Sequence, residues 1–346
     1  MRITNSAAIW CASLMVWGCT PSSDGSEFPE LTGAYLGQTP PGNTPELFAP
    51  GIVSTGMYTR DIAMTPDGSE LYFCVMESGF SVILRTKLVN DRWTEPEIVP
   101  FSADGAHQEI EPHITSDGSK MLFLSDRRPD GEVLAPEERG QWANQNIWVV
   151  DRVGDEWGEP YLLAEPVTSD SSEFFPSVTQ DGTIYFTRSV PGESYIYRSR
   201  FVDGSYQEPE RLPPQVNSTT QQYNAFIAPD ESYIIVPVSG REDSHGGTDY
   251  YIVFRSEDDQ WSEPINLGDR VNTADGREFS PYVSPDGKYF FFMAVRRTPW
   301  DQVPDTLTMD YVRDRYMSSE NGQSDIYWVD AGFIEELRRQ AWDRGS

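Results

Sequence analysis

One phrase, repeated five times with its punctuation in register, restricts this chain more than anything else in it. Its fullest copy is Glu278-Phe279-Ser280-Pro281-Tyr282-Val283-Ser284-Pro285-Asp286-Gly287, followed by Lys288-Tyr289-Phe290-Phe291-Phe292. The others centre on Thr65-Pro66-Asp67-Gly68, Thr115-Ser116-Asp117-Gly118, Thr179-Gln180-Asp181-Gly182 and Ala228-Pro229-Asp230-Glu231. Copies then enter β-branched or aromatic runs such as Leu71-Tyr72-Phe73 or Ile184-Tyr185-Phe186, so each reads as strand, tight turn, strand. Self-similarity on this scale decides an architecture before local propensities are weighed.

Two more strands complete the unit. The third reads Ile147-Trp148-Val149-Val150, Tyr195-Ile196-Tyr197-Arg198, Tyr250-Tyr251-Ile252-Val253 or Ile326-Tyr327-Trp328-Val329. The fourth carries an aromatic-x-Glu-Pro signature at Trp93 to Pro96, Trp157 to Pro160, Tyr206 to Pro209 and Trp261 to Pro264. Proline cannot donate to a ladder, which places this strand on a sheet edge. Four-stranded units repeated five times predict an all-β, five-bladed β-propeller over residues 45–330, a design that protects its edges by radial repetition. The last unit ends at Asp330 without a fourth strand. Pro45-Glu46-Leu47 with Ile52-Val53-Ser54-Thr55 matches Pro264-Ile265-Asn266-Leu267 with Arg270-Val271-Asn272-Thr273, so the N-terminal strand is expected to close the last blade. Residues 331–346 have apolar groups at helical spacing, acids early and arginines late, which predicts a short C-terminal helix.

The Ser/Thr-Pro-Asp-Gly phrase with Tyr-Phe after it resembles the WD40-like (PD40) repeat of TolB-type periplasmic proteins, also seen in oligogalacturonate lyases and prolyl oligopeptidase propellers. The resemblance spans nearly all of residues 45–330 and implies the propeller fold. TolB implies six blades and an extra domain, where this sequence shows five blades. The Gly-x-Ser-x-Gly elbow of the oligopeptidases is not seen after the propeller.

Ahead of the repeats, Arg2 and an apolar run lead to Val16-Trp17-Gly18-Cys19, which resembles a bacterial lipobox. The run is too short for a retained membrane span. The expectation is a signal peptide over residues 1–18 and acylation of Cys19. Thr20 in place of Asp then implies sorting to the outer membrane, facing the periplasm or the cell surface. Residues 19–44, rich in Ser, Pro and Gly, read as a flexible tether. Cys11 would leave with the signal, so Cys74 alone remains in the domain, as a small buried hydrophobe. A net charge of −29 repels nucleic acid and anionic head groups, which leaves the lipid as the expected membrane contact.

Positions that differ among the copies point to function, because what all blades share is needed to be a blade. Counting back from the turn Asp, the third residue is always apolar (Met64, Ile114, Val178, Ile227, Val283). The sixth is Asp61, Glu111, Phe175, Asn224 or Ser280, and the seventh is apolar except for Arg60. The eighth is Glu109, Glu173 or Glu278, against Thr59 and Gln222. Second strands end in Arg127, Arg188, Arg241 and Arg296, with Glu77 in the first copy. These charges read either as ion pairs within or between blades or as a ligand site.

Loops after the second strand are long in blade two (129–144) and longest in blade five (297–324), beyond hairpin lengths, and long loops on a regular scaffold carry function. Candidate ligand-binding residues near those loops, at the channel mouth, are Arg60, Asp61, Glu77, Glu109, Glu111, Arg127, Arg128, Glu278 and Arg296. Trp142, Trp300, Tyr311 and Tyr316 are candidate stacking surfaces. His107, His113 and His245 lack recognised ligand spacing, so no metal or cofactor is expected. The leading reading is a monomeric, lipid-anchored platform that binds a protein, peptide or glycan on the long-loop face. The alternative is a carbohydrate-active enzyme, a polyuronide lyase or glycoside hydrolase, with an acid and base among the channel-mouth carboxylates.

Overall fold

Strand, tight turn, strand recurs five times in the computed structural model, and the repeats assemble into five antiparallel sheets around one axis. The structure describes residues 28–343 except 78, 136–137, 139–144, 275–277 and 298. The signal segment, Cys19, the start of the tether and Trp142 lie outside the described residues. The folded unit begins at Leu31.

From the axis outward, blade one is Tyr58–Met64, Glu70–Glu77, Phe80–Val89 and Glu97–Ile98. Blade two is Glu109–Ile114, Lys120–Ser125, Asn146–Val153 and Tyr161–Leu162. Blade three is Ser172–Val178, Ile184–Val190, Glu193–Ser199 and Glu210–Arg211, and blade four is Phe226–Ile227, Tyr233–Ser239, Thr248–Phe254 and Ile265–Asn266. Blade five is Phe279–Val283, Tyr289–Arg297, Asn321–Asp330 and the N-terminal pair Glu46–Leu47. Glu46 faces Trp328 and Leu47 faces Tyr327, so the expected closure by strand exchange is present.

The outer edge is shifted from the aromatic-x-Glu-Pro signature to the residues after it. Trp93 and Trp157 sit in short ribbons that extend the third strand, while Glu97–Ile98 and Tyr161–Leu162 form the edge. The proline between them interrupts the ladder, and the chain resumes pairing beyond it. Each edge then runs into a buried valine (Val53, Val99, Val167, Val216, Val271). A polar side chain near it docks on the third strand. Asn217 accepts from Ile196 N–H at 2.8 Å and donates to its carbonyl at 3.0 Å, and Asn272 and Ser54 do the same at Tyr250 and Ile326.

Residues 31–44, expected as tether, lie instead against blades five and one. Leu36 is buried, Tyr35 packs on Tyr289 and Trp328 at ring separations of 5.0 and 5.4 Å, and Trp93 Nε1 donates to Gly33 O at 2.7 Å. Gln38 bridges Leu47 O and Ala49 N–H at 2.9 and 2.7 Å, fixing the entry to the closing strand.

Two helices follow, α1 (Met309–Met317) inside the blade-five loop and α2 (Phe333–Asp343) after the last strand. Helix α2 buries Ile334 and packs Phe333 and Leu337 against blades four and five, as expected of a capping helix. The core lies between blades, in five clusters that each join neighbouring sheets, for example Tyr72 and Cys74 with Met121, Phe123 and Trp157.

Candidate functional site

All five innermost strands break their ladder at the same place. Residues Asp61, Glu111, Phe175, Asn224 and Ser280, the sixth before each turn, have φ between 50° and 60°. The left-handed conformation is rare for residues with a side chain and costs on the order of 1 kcal/mol each. The register slips there in blades one, two, three and five, which marks a β-bulge. These five positions, one from each blade, meet on the axis.

They form a hydrogen-bonded ring. Arg60, 8% exposed, reaches Asp61 at 3.0 Å, Glu111 at 2.8 Å and the Ser280 hydroxyl at 3.3 Å. Asn224 Nδ2 donates across the axis to Glu111 at 3.2 Å, and Ser280 Oγ donates to Asp61. Each acid also accepts the bulge N–H of the next blade: Glu111 N–H on Asp61 at 3.1 Å and Phe175 N–H on Glu111 at 2.8 Å. Burial pushes the Glu111 carboxyl upward and Asp61 adds to this, while Arg60 and the bulge N–H of Phe175 pull it back. Below the ring the channel narrows to a void of about 10 Å³ lined partly by Phe175 and Tyr282, roughly the space of one water.

A second tier of latches lies one pleat further along. His113 Nε2 accepts Val178 N–H at 2.9 Å, Ser177 Oγ accepts Ile227 N–H at 3.1 Å and Tyr282 Oη accepts Met64 N–H at 3.1 Å. Each ties an inner strand to the next blade. Burial holds the His113 imidazole down to about 4, so at neutral pH it is the uncharged acceptor this latch requires.

The nine sequence candidates do not form one cluster. Arg60, Asp61 and Glu111 share the ring. Glu109 is fully buried within blade two, where it pairs with Arg127 at 2.9 Å and accepts from Ser102 at 3.1 Å. Burial pushes the Glu109 carboxyl up to about 7. Glu173 and Arg188 repeat that pair in blade three at 2.8 Å. In blade five Glu278 accepts from the Thr273 N–H and hydroxyl, and Arg296 lies 4.1 Å over the Tyr327 ring. Arg128 pairs with Glu132 and Glu138 in the blade-two loop, and Glu77 is at the exposed end of its strand. The reason is the bulge: it turns the sixth position onto the axis, while the eighth points between sheets and pins the incoming loop.

Sequence reasoning missed helix α1, since Pro299 and Pro304 and a mean pattern without a buried face conceal it. Thr308 caps it by accepting from Tyr311 N–H at 3.1 Å. Its C-terminus lies on the connection that leads from the closing strand into blade one, where a Cβ on Gly56 would meet Tyr316 O at 2.5 Å and Met317 C at 2.7 Å. Asn321 Nδ2 clamps the same joint, reaching Gly56 O at 3.0 Å and Tyr316 O at 2.8 Å. Met309, Tyr316 and Met317 nevertheless stand 64%, 72% and 71% exposed, with Leu307 and Val312 also exposed.

No family model matches the sequence, and no curated protein matches it. Among solved structures the chain is similar to TolB from Acinetobacter baumannii, at 16% identity and a TM-score of 0.43, covering 80% of this chain and 57% of that one. It is similar to a protein assigned as TolB from Agrobacterium tumefaciens, at 17% identity and 0.43, covering 79% and 90%. A thermostable family-43 glycoside hydrolase gives 13% identity and 0.41, covering 79% and 89%. No helix among the described residues is long and apolar enough to cross a membrane.

Proposed function

We propose that the protein is a lipid-anchored binding platform whose long-loop face engages a protein partner through the apolar side of α1. The observation that carries this is a helix held by its joints and not by its own apolar face. Helices in globular proteins form mainly because such a face is buried. Here Gly56, Asn321 and the Thr308 cap fix the element, and Met309, Val312 and Tyr316, spaced for one side of a helix, face outward. An apolar patch on a chain of net charge −29 suits a protein groove that receives a helix, and disfavours an anionic bilayer. Asp61 and Glu111, the channel acids an acid/base mechanism would need, share Arg60 and accept from the bulge N–H groups, Ser280 and Asn224. This supports the platform over the carbohydrate-active alternative.

Envelope fractionation combined with in-cell photocrosslinking from position 313 tests both halves. The wild type should sediment with membranes and give a discrete protein adduct, and Cys19→Ser should release it to the soluble fraction. Met309→Ser with Tyr316→Ser should stay at the membrane, melt as the wild type does and lose the adduct. A soluble wild type removes the anchor; an undiminished adduct in the double variant removes the role of α1.

A further inference from the structure

The five blade seams are not filled alike on the face that carries the Asp-Gly turns. Between blades one and two, Trp157 Nε1 donates to Tyr72 Oη at 2.8 Å, and Arg152 grips Glu70 at 2.8 and 2.6 Å. Between three and four, Tyr185 Oη donates to Glu231 at 2.8 Å and Arg198 grips Asp259. Between four and five lies α2. Between five and one lies the chain's own segment 33–36, with Tyr35 against Tyr289, Phe291 and Trp328 and its hydroxyl on Asp286 at 3.0 Å.

The seam between blades two and three has the same backbone frame and smaller contents. Counting from the turn Asp and across the ladder, the positions of Tyr289, Phe291 and Trp328 are held there by Lys120, Leu122 and Val149. By ladder register, one residue after the partners of Ile114, Met64 and Val178, Leu122 also stands where the flanking seams have Tyr72 and Tyr185. The result is a cleft of about 330 Å³ with Leu122, Val149 and Leu163 in its floor, within the size range of ligand sites. Tyr161, 40% exposed, and Phe201, 43% exposed, form aromatic walls, and Asp117 lines this cleft as Asp286 faces Tyr35 in the other.

We propose that this cleft receives a peptide turn of a partner protein with a tyrosine as its anchor, seated as segment 33–36 seats Tyr35. The internal precedent selects the occupant. The same repeat frame already holds a tight turn, with Tyr35 and Leu36 at φ 52° and 58° and Gly37 N–H on Ala34 O at 3.0 Å, whose tyrosine ring lies among aromatic side chains and whose hydroxyl donates to the turn aspartate. The cleft offers the apolar floor, the aromatic walls and the turn aspartate, and lacks the ring. It lies on the turn face, away from α1, and is independent of that helix.

The chain's own sequence supplies a probe, the blocked peptide Thr-Gly-Ala-Tyr-Leu-Gly of residues 32–37. Titrated into the full folded protein and followed by NMR, it should shift residues of blades two and three. Its Tyr-to-Ala version should bind about ten-fold more weakly or not at all. Leu122→Tyr, which fills the floor with the side chain found in two other seams, should weaken binding of the native peptide by about ten-fold or more. Tyr161→Ala, which removes a 40% exposed wall and leaves the buried floor intact, should do the same, and covers the case where the filled variant is misfolded. Equal binding of the Tyr and Ala peptides, shifts confined to other seams, or no binding at millimolar peptide overturns the proposal. So does a chitin or pectin oligosaccharide that shifts these residues when the peptide does not.

Discussion

Arg60 is the only cation in the axial ring among the described residues, and it faces two carboxylates inside a site closed to solvent. Removing one partner from such a network leaves charge buried without compensation, which costs roughly 3–5 kcal/mol. Arg60→Met should therefore lower stability by about that amount in urea unfolding, and adding Asp61→Asn and Glu111→Gln should recover a large part. A melt of Arg60→Met within error of the wild type would contradict the structural role of the ring. His113 gives a second handle. Its folded value, about 4, lies below the unfolded value near 6.5, so the unfolded chain takes up its proton first as pH falls. The stability it contributes is present above 6.5 and is lost towards 4. His113→Gln, whose carbonyl oxygen can accept the same N–H of Val178, should flatten the stability profile in that window; an unchanged slope would show that other groups set it.

At the scale of elements, the innermost and N-terminal segments show where sequence is transparent and where it is not. Strands and turns were legible because each copy corroborates the others, and the match of residues 45–55 to 264–273 foretold the closing strand. The bulge was visible only as an unexplained variety at one position. Asp61 and Asn224 are residue types that tolerate a left-handed φ, but Glu111, Phe175 and Ser280 are not, and there only the prolines that follow hint at a break in the ladder. Residues 31–37 read as tether because Leu31, Tyr35 and Leu36 are set among Thr, Ala and Gly between proline-bearing flanks, a composition that predicts disorder unless a seam exists to receive them. Deleting 31–37 while keeping residues 38–343 should then cost about 3 kcal/mol, from the loss of the buried Leu36 and the half-buried Leu31 and Tyr35, and lower the melting temperature by several degrees. Equal melting temperatures would restore the tether reading of this stretch.

For the whole molecule, the regularity that made the architecture readable also hid the sites, because function here lies in departures from the repeat. The ring comes from five unlike residues at one equivalent position. Helix α1, with Met309, Val312 and Tyr316 on its outward side, comes from one overlong loop, and the cleft from one seam with Lys120, Leu122 and Val149 where another has three aromatic residues. Composition and periodicity average over such departures, whereas packing exposes them.

The pairing of Glu46–Leu47 with Asn321–Asp330 also imposes an order of events. A chain is made from its N-terminus, so the first strand of the propeller to be synthesised must wait for the last one. Until residue 328 has emerged, Glu46 has no partner, the last sheet lacks its edge, and Arg60 has no Ser280 from a folded fifth blade. The longest sequence separations in the fold are thus made at the end, and slow steps of folding collect there. A growing propeller is an open arc with two unsatisfied margins, and it becomes a closed ring only when the last strand of blade five is present.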